Sequence, residues 1–139
     1  MNAVDTNIFL YSIDRGEPAK QLKAQQLLWQ LRAAPQPTFL LWQVLGELGR
    51  QLRRWRDQGK ITPTEFGQHI QAFRYLFPLV LPTPAVFDLA LALADHFSLS
   101  HWDGMLLGAC QAAGIVTLYT EDMGAPRIID GIQLINPLV

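Results

Sequence analysis

The chain has 139 residues, 50% of them apolar and 10% aromatic, with a formal net charge of −1. That size predicts one domain, residues 1–139, with a substantial core, and the apolar content excludes a disordered chain. The near-neutral total neither demands nor forbids nucleic acid, while the single cysteine, Cys110, excludes a disulfide framework and a cysteine-built zinc cluster.

A reducing, cytoplasmic setting is the natural expectation for such a chain. The N-terminus has no secretory pattern, because Asp5 and Asn7 interrupt its apolar run. No apolar stretch is long enough to span a bilayer, so no membrane partner is expected.

In chain order, Ala3 to Asp5 reads as the end of a buried strand, and Asn7 to Ile13 as a short helix ending near Asp14-Arg15-Gly16. Pro18 suits the first turn of the next helix, which carries Leu22, Leu27, Leu28 and Leu31 and stops before Pro35. Thr38 to Leu41 is a short apolar strand between prolines. The helix from about Gln43 to Gln58 turns Leu45, Leu48, Leu52 and Trp55 toward the core. Gln43, Glu47, Arg50 and Arg54 share another stripe of it, with Arg53 and Arg56 nearby. Thr62-Pro63-Thr64-Glu65 has the form of a capping box, opening a helix faced by Ile70, Phe73 and Phe77.

Leu79 to Leu81 is a further strand, and Thr83-Pro84 starts a helix that runs through Leu89, Leu93 and Ala94 to His96. Ser100 to Asp103 repeats the capping-box form. The helix it opens has Trp102, Met105, Leu106, Ala109 and Ala113 on one stripe; Gly104, Gly108 and Ala112 on another allow a neighbour to come close. Gly114 ends it, Val116 to Tyr119 is a strand leading into Thr120-Glu121-Asp122, and Gly131 to Pro137 is a last strand. Short strands alternating with helices predict an α/β fold, a central parallel sheet of four to five strands with helices on both faces.

In a parallel sheet, Asp5 and Asp122 follow their strands at the same edge, and Glu47 and Asp103 lie in the first turns of helices that can start there. Four converging carboxylates repel one another unless a cation neutralises them. Carboxylate oxygens with water suit Mg²⁺ or Mn²⁺, and such ions serve phosphodiester chemistry. Each acid also has a plainer use: Asp5 as a helix cap, Asp103 in the capping box with Ser100, Glu47 in a helix ion pair with Arg50, and Glu121 or Asp122 as a turn residue. Thr6, Asn7 and Thr120 are candidates to hold a ligating carboxylate or to cap. His69, His96 and His101 form no spaced ligand set. Trp29, Trp42, Trp55 and Trp102 are ordinarily core residues, although Trp102, beside Asp103, is a candidate for base contact.

Val4-Asp5-Thr6-Asn7-Ile8, Ser100-His101-Trp102-Asp103 and Leu118-Tyr119-Thr120-Glu121-Asp122-Met123 resemble the signature segments of PIN-domain nucleases, and Ile129-Asp130-Gly131-Ile132 with Ile135-Asn136-Pro137 resembles the end of that family. The branch most similar is the VapC-type toxin of bacterial toxin–antitoxin pairs. The segments keep the family's order and spacing along the whole chain. The resemblance implies a PIN-like three-layer fold and an endoribonuclease dependent on Mg²⁺. It implies ligand roles for Asp5, Glu47, Asp103 and Asp122, homodimerisation, and inhibition by a cognate antitoxin. Glu121 and Asp122 are adjacent; the family's spacing from the strand favours Asp122. Arg50 and Arg54 would then contact RNA phosphates or acids of the antitoxin, and single-stranded or looped RNA is the expected substrate. The rival readings are a PIN-like RNA- or partner-binding module without useful catalysis, a housekeeping RNA-processing nuclease, and a small-molecule phosphatase, for which Lys20, Lys23 and Lys60 stand in poor places.

Overall fold

The apolar segments bounded by prolines and polar turns do form the strands. The computed structural model describes residues 1–139. In chain order the elements are β1 (Asn2–Val4), α1 (Thr6–Tyr11), α2 (Pro18–Ala33), β2 (Thr38–Leu41), α3 (Trp42–Asp57), α4 (Pro63–Leu76), β3 (Leu79–Val80), α5 (Pro84–Phe97), α6 (His101–Ala112), β4 (Thr117–Tyr119), β5 (Arg127–Ile129) and β6 (Ile132–Ile135). The sheet order is β3-β2-β1-β4-β6-β5. Five strands are parallel, as the sequence leads one to expect. The sixth, β5, pairs antiparallel with β6.

From β1 the chain steps outward to β2 and β3, then returns to the other side of β1 as β4. Right-handed crossovers therefore put α1 to α4 on one face and α5 with α6 on the other. Contacts agree: α1 packs on α2 and α3, α3 on α4, and α5 on α6. The reversal creates a topological switch point between the carboxyl ends of β1 and β4, the place where open α/β sheets bind ligands. Val4 pairs with Tyr119 at that edge, so Asp5 and Thr120 leave the sheet side by side.

The core joins both faces of the sheet. Phe9 of α1 meets Phe73 and Phe77 edge-on, with ring centroids 5.2 and 6.2 Å away, and Leu48, Leu52 and Trp55 bury the inner stripe of α3. Leu22 departs from expectation and is exposed. Ala24, Leu27, Leu28 and Leu31 form the buried face of α2, and a residue two positions from Ala24 falls on the opposite side of a helix. Trp29 also faces outward.

The β5–β6 hairpin departs from the single last strand expected over this segment. Its two-residue turn is Asp130-Gly131, with φ of 48° and 83°. Asp-Gly supplies the paired positive φ values of a type I′ turn and was the available signal.

Gly104 and Gly108 act as expected, and Ala112 does not. A Cβ on Gly104 would lie 2.8 Å from the Ala90 carbonyl oxygen, and one on Gly108 2.8 Å from that of Val86. These glycines let α6 lie directly against the α5 backbone, whereas Ala112 is exposed. Gly108→Ala gains about 1 kcal/mol of helix propensity but forces a backbone shift costing about 1–3 kcal/mol. Urea unfolding is expected to show a net loss for Gly108→Ala. Gly67→Ala, whose Cβ meets nothing within 4 Å, is expected to gain up to about 1 kcal/mol.

Candidate functional site

Asp5 lies one residue past the end of β1, as the N-cap of α1. Its carboxylate is buried, 8% exposed. Oδ1 accepts from the Thr6 backbone N–H at 2.7 Å, and Oδ2 accepts from the Thr120 hydroxyl at 2.8 Å. Capping and site-building are thus one arrangement. Thr120, fully buried, also accepts the Asp122 backbone N–H at 3.0 Å. One hydroxyl therefore orients the carboxylate of Asp5 and the backbone that carries Asp122.

Glu47 projects from the second turn of α3. The Thr6 hydroxyl donates to its Oε2 at 2.9 Å, and Gln43 Nε2 donates to its Oε1 at 2.9 Å. The alternative pairing of Glu47 with Arg50 is absent, because the only ion pairs are Lys20–Glu121, Arg56–Asp57 and Lys60–Asp14. Asp103 sits in the first turn of α6. The Ser100 hydroxyl accepts from the Asp103 backbone N–H at 3.2 Å, but the Asp103 carboxylate does not return the bond. At Thr62 and Glu65 both halves of the capping box are present. The second box is therefore half formed, and its acid is free.

Asp5, Glu47, Asp103 and Asp122 line one cleft of about 900 Å³. Burial, opposed by the Thr120 and Thr6 hydrogen bonds and aided by the charges of Asp122 and Glu47, pushes the Asp5 carboxyl up to about 6. Burial, then the charges of Glu121, Asp103 and Glu47, raises Asp122 as well. No ion pair neutralises any of the four lining acids, and Arg50 is the one basic side chain on the lining.

The donor set is all carboxylate, the chemistry of a hard divalent cation. As they stand, no three acids come close enough to hold one ion. The carboxylates of Asp103 and Asp122 make no hydrogen bond within the protein, so both are free to turn. The residues fit such an ion in chemical type, with closure left to side-chain rotation.

The remaining sequence candidates separate cleanly. Thr6, Asn7 and Trp102 line the cleft with Arg50. Thr120 lies behind Asp5. Glu121 is held outside the cleft lining by the Tyr11 hydroxyl at 2.8 Å, by Asn7 Nδ2 at 3.5 Å and by Lys20 at 3.9 Å. Of the adjacent pair, Asp122 alone faces the acids. Arg54 is exposed on α3 and does not line the cleft. The expectation that tryptophans are core holds for Trp55 only. Trp42 and Trp102 open their helices at the sheet edge, beyond the reach of the core, and are 53% and 63% exposed. Gln43 is a site residue that the sequence alone does not flag; its i, i+4 spacing to Glu47 is the available signal.

No protein-family model matches the chain, and no curated protein matches it in sequence. Solved structures do match in shape. A chain of a toxin–antitoxin complex from Klebsiella pneumoniae is similar with a TM-score of 0.69 and 19% identity, over 99% of this chain and 98% of that one. VapBC2 from Rickettsia felis, bound to a DNA fragment from its promoter, is similar with a TM-score of 0.67 and 15% identity, over 96% of both chains. VapC20 of Mycobacterium tuberculosis, described as a sarcin-ricin loop cleaving toxin, is similar with a TM-score of 0.64 and 20% identity, over 89% of this chain and 92% of that one. The chain has a PIN-like fold, shared with these structures over nearly its whole length.

The raised Asp5 carboxyl links the stability of the fold to pH. Between 3.8 and about 6 the folded chain holds a proton that the unfolded chain has released. Stability in chelator is therefore expected to fall as pH rises through that window and then to level off. Asp5→Asn should flatten most of this slope and stabilise the metal-free protein near neutral pH by about 1–3 kcal/mol. Urea unfolding across the window, with and without the substitution, measures both effects.

Proposed function

We propose that this protein is a VapC-like toxin, a Mg²⁺-dependent endoribonuclease that cleaves RNA phosphodiesters and is inhibited by a cognate antitoxin. The observation that carries this reading is the presence of Asp5, Glu47, Asp103 and Asp122 on the lining of one cleft at the switch point of a VapC-type fold. The setting proposed is cytoplasmic, with the chain acting as a homodimer. No helix is long and apolar enough to cross a membrane.

In this mechanism Asp5 is the fixed carboxylate, its two oxygens aimed by Thr6 and Thr120. Thr6 also ties Glu47 to the same corner. Asp103 and Asp122 complete the ligand set from α6 and from the turn after β4. Mg²⁺, or Mn²⁺ in its place, supplies Lewis-acid activation of water and neutralises charge on the phosphoryl group when bound. Arg50 holds a neighbouring phosphate of the strand. Glu121 has a structural part: it ties the turn after β4 to Tyr11 and Lys20.

One observation favours a second reading. The absence of three closely set acids suits a binding module of the same fold, without catalysis. Incubation with RNA in Mg²⁺ and in chelator separates the two. The nuclease reading expects cleavage only with Mg²⁺. Asp103→Asn is expected to slow it by about 100-fold or more, and Thr120→Val, which leaves Asp5 one hydrogen bond short, by about 10- to 100-fold. Glu121→Gln should change it by less than about fivefold, the scale of an exposed ion pair. If Asp5→Asn and Asp103→Asn cleave as fast as the parent, the ligand assignment is wrong.

A second expectation concerns metal binding read without RNA. Calorimetric titration with Mn²⁺ should show binding to the parent that releases protons near pH 6, since Asp5 is raised to about 6 and must lose its proton to ligate. Thr120→Val should weaken that binding by about 10- to 100-fold.

A further inference from the structure

Two tryptophans stand in solvent on the rim of the acid cleft. Trp42 is 53% exposed and Trp102 63% exposed, and both line the cleft with the four acids. Trp42 is the first residue of α3, directly after β2, and Trp102 directly precedes Asp103 in α6. Gln43 couples them. Its Nε2 donates to the Trp102 carbonyl oxygen at 3.1 Å and to Glu47 Oε1 at 2.9 Å. The start of α3 and the start of α6 are thereby pinned together across the cleft mouth, beside the acids.

An exposed large apolar side chain forgoes the stabilisation that burial would give it. Trp55, on the same helix as Trp42, is buried in the core. Trp42 meets no other aromatic ring and no cation, and Trp102 meets only its neighbour His101, edge-on with centroids 5.0 Å apart. The other exposed aromatics, Trp29, Tyr75 and Phe87, do not line the cleft. The unpartnered indoles of the cleft are thus grouped with the phosphodiester chemistry and with Arg50.

We propose that Trp42 and Trp102 form a stacking clamp for unpaired nucleobases of an RNA strand whose backbone crosses the acids. The clamp rests on the nuclease reading above and supplies the means by which that site holds the bases of its substrate. It takes single-stranded or looped RNA with splayed bases and rejects paired duplex, whose bases offer no free face. Stacking on an indole is tolerant of base identity and contributes about 1–3 kcal/mol per base, while Arg50 supplies the phosphate contact. Gln43 is the positioning residue that keeps Trp102 in register with Glu47.

The test uses the full chain in Ca²⁺ with three end-labelled RNAs: a short single strand, the same strand in duplex, and the same strand with abasic sites. Fluorescence anisotropy reads binding, and RNA cleavage is followed separately in Mg²⁺. The parent is expected to prefer the single strand to the duplex. Trp42→Ala and Trp102→Ala should each weaken single-strand binding by about 5- to 150-fold, while Trp42→Phe and Trp102→Phe retain most of it. The abasic strand should bind the parent weakly and lose little more on substitution. If the alanine variants bind and cleave the single strand as well as the parent does, the clamp is overturned and the nuclease reading stands; the indoles then face a protein partner instead. If the parent neither binds nor cleaves any of these RNAs, the nuclease reading falls and takes the clamp with it.

Discussion

The burial of one carboxylate at the edge of the sheet is the constraint around which this protein is arranged. Asp5 leaves water because β1 is central and α1 begins immediately after it, with Ile8 and Phe9 anchored in the core. An acid in that position is tolerable only if its oxygens are satisfied. Thr6 satisfies one oxygen and Thr120 the other. Because Thr120 comes from the far strand of the switch point, the hydrogen bond that offsets the burial of Asp5 also joins the two halves of the fold at the cleft.

The same bond explains the division of labour among the acids. Asp5 is held rigidly and raised toward neutrality, while Asp103 and Asp122 are left without protein partners. With two carboxylates held, Asp5 and Glu47, and two free, Asp103 and Asp122, the repulsion among the acids has no compensating cation in the protein itself. The six residues of α1, clamped by Phe73 and Phe77, resist the backbone movement that such repulsion would otherwise cause. On the opposite face, the direct backbone approach of α5 and α6 fixes the start of α6, and so the place from which Asp103 and Trp102 project. Core packing and site geometry are in this way the same set of contacts.

Around that floor the cleft changes character. Its base is acidic, its rim carries Arg50 and two open indoles, and Gln43 links base to rim through Glu47 and Trp102. In the proposed nuclease, a cation on the floor would make this graded surface complementary to an anionic polymer with flat, apolar side groups. A purely apolar or purely cationic ligand matches only part of it.

Much of this was legible in the residues. The alternation of short apolar runs with periodic helices determined a parallel sheet, and the order of Asp5, Glu47, Asp103 and Asp122 placed them at helix starts and strand ends, because local periodicity and turn chemistry are encoded locally. The half-formed box at Ser100, the turning away of Glu121 toward Tyr11 and Lys20, the exposure of Leu22 and of Trp42 and Trp102, and the bond from Thr120 to Asp5 were not legible. Each depends on which partner a side chain meets from a distant segment, 115 residues away in the case of Thr120 and Asp5. The sequence by itself determined which residue types arrive at the carboxyl edge of the sheet. Only the tertiary structure decided which carboxylates are held, which are free and which aromatics stay in water, because those outcomes follow from long-range packing and from the switch in strand order.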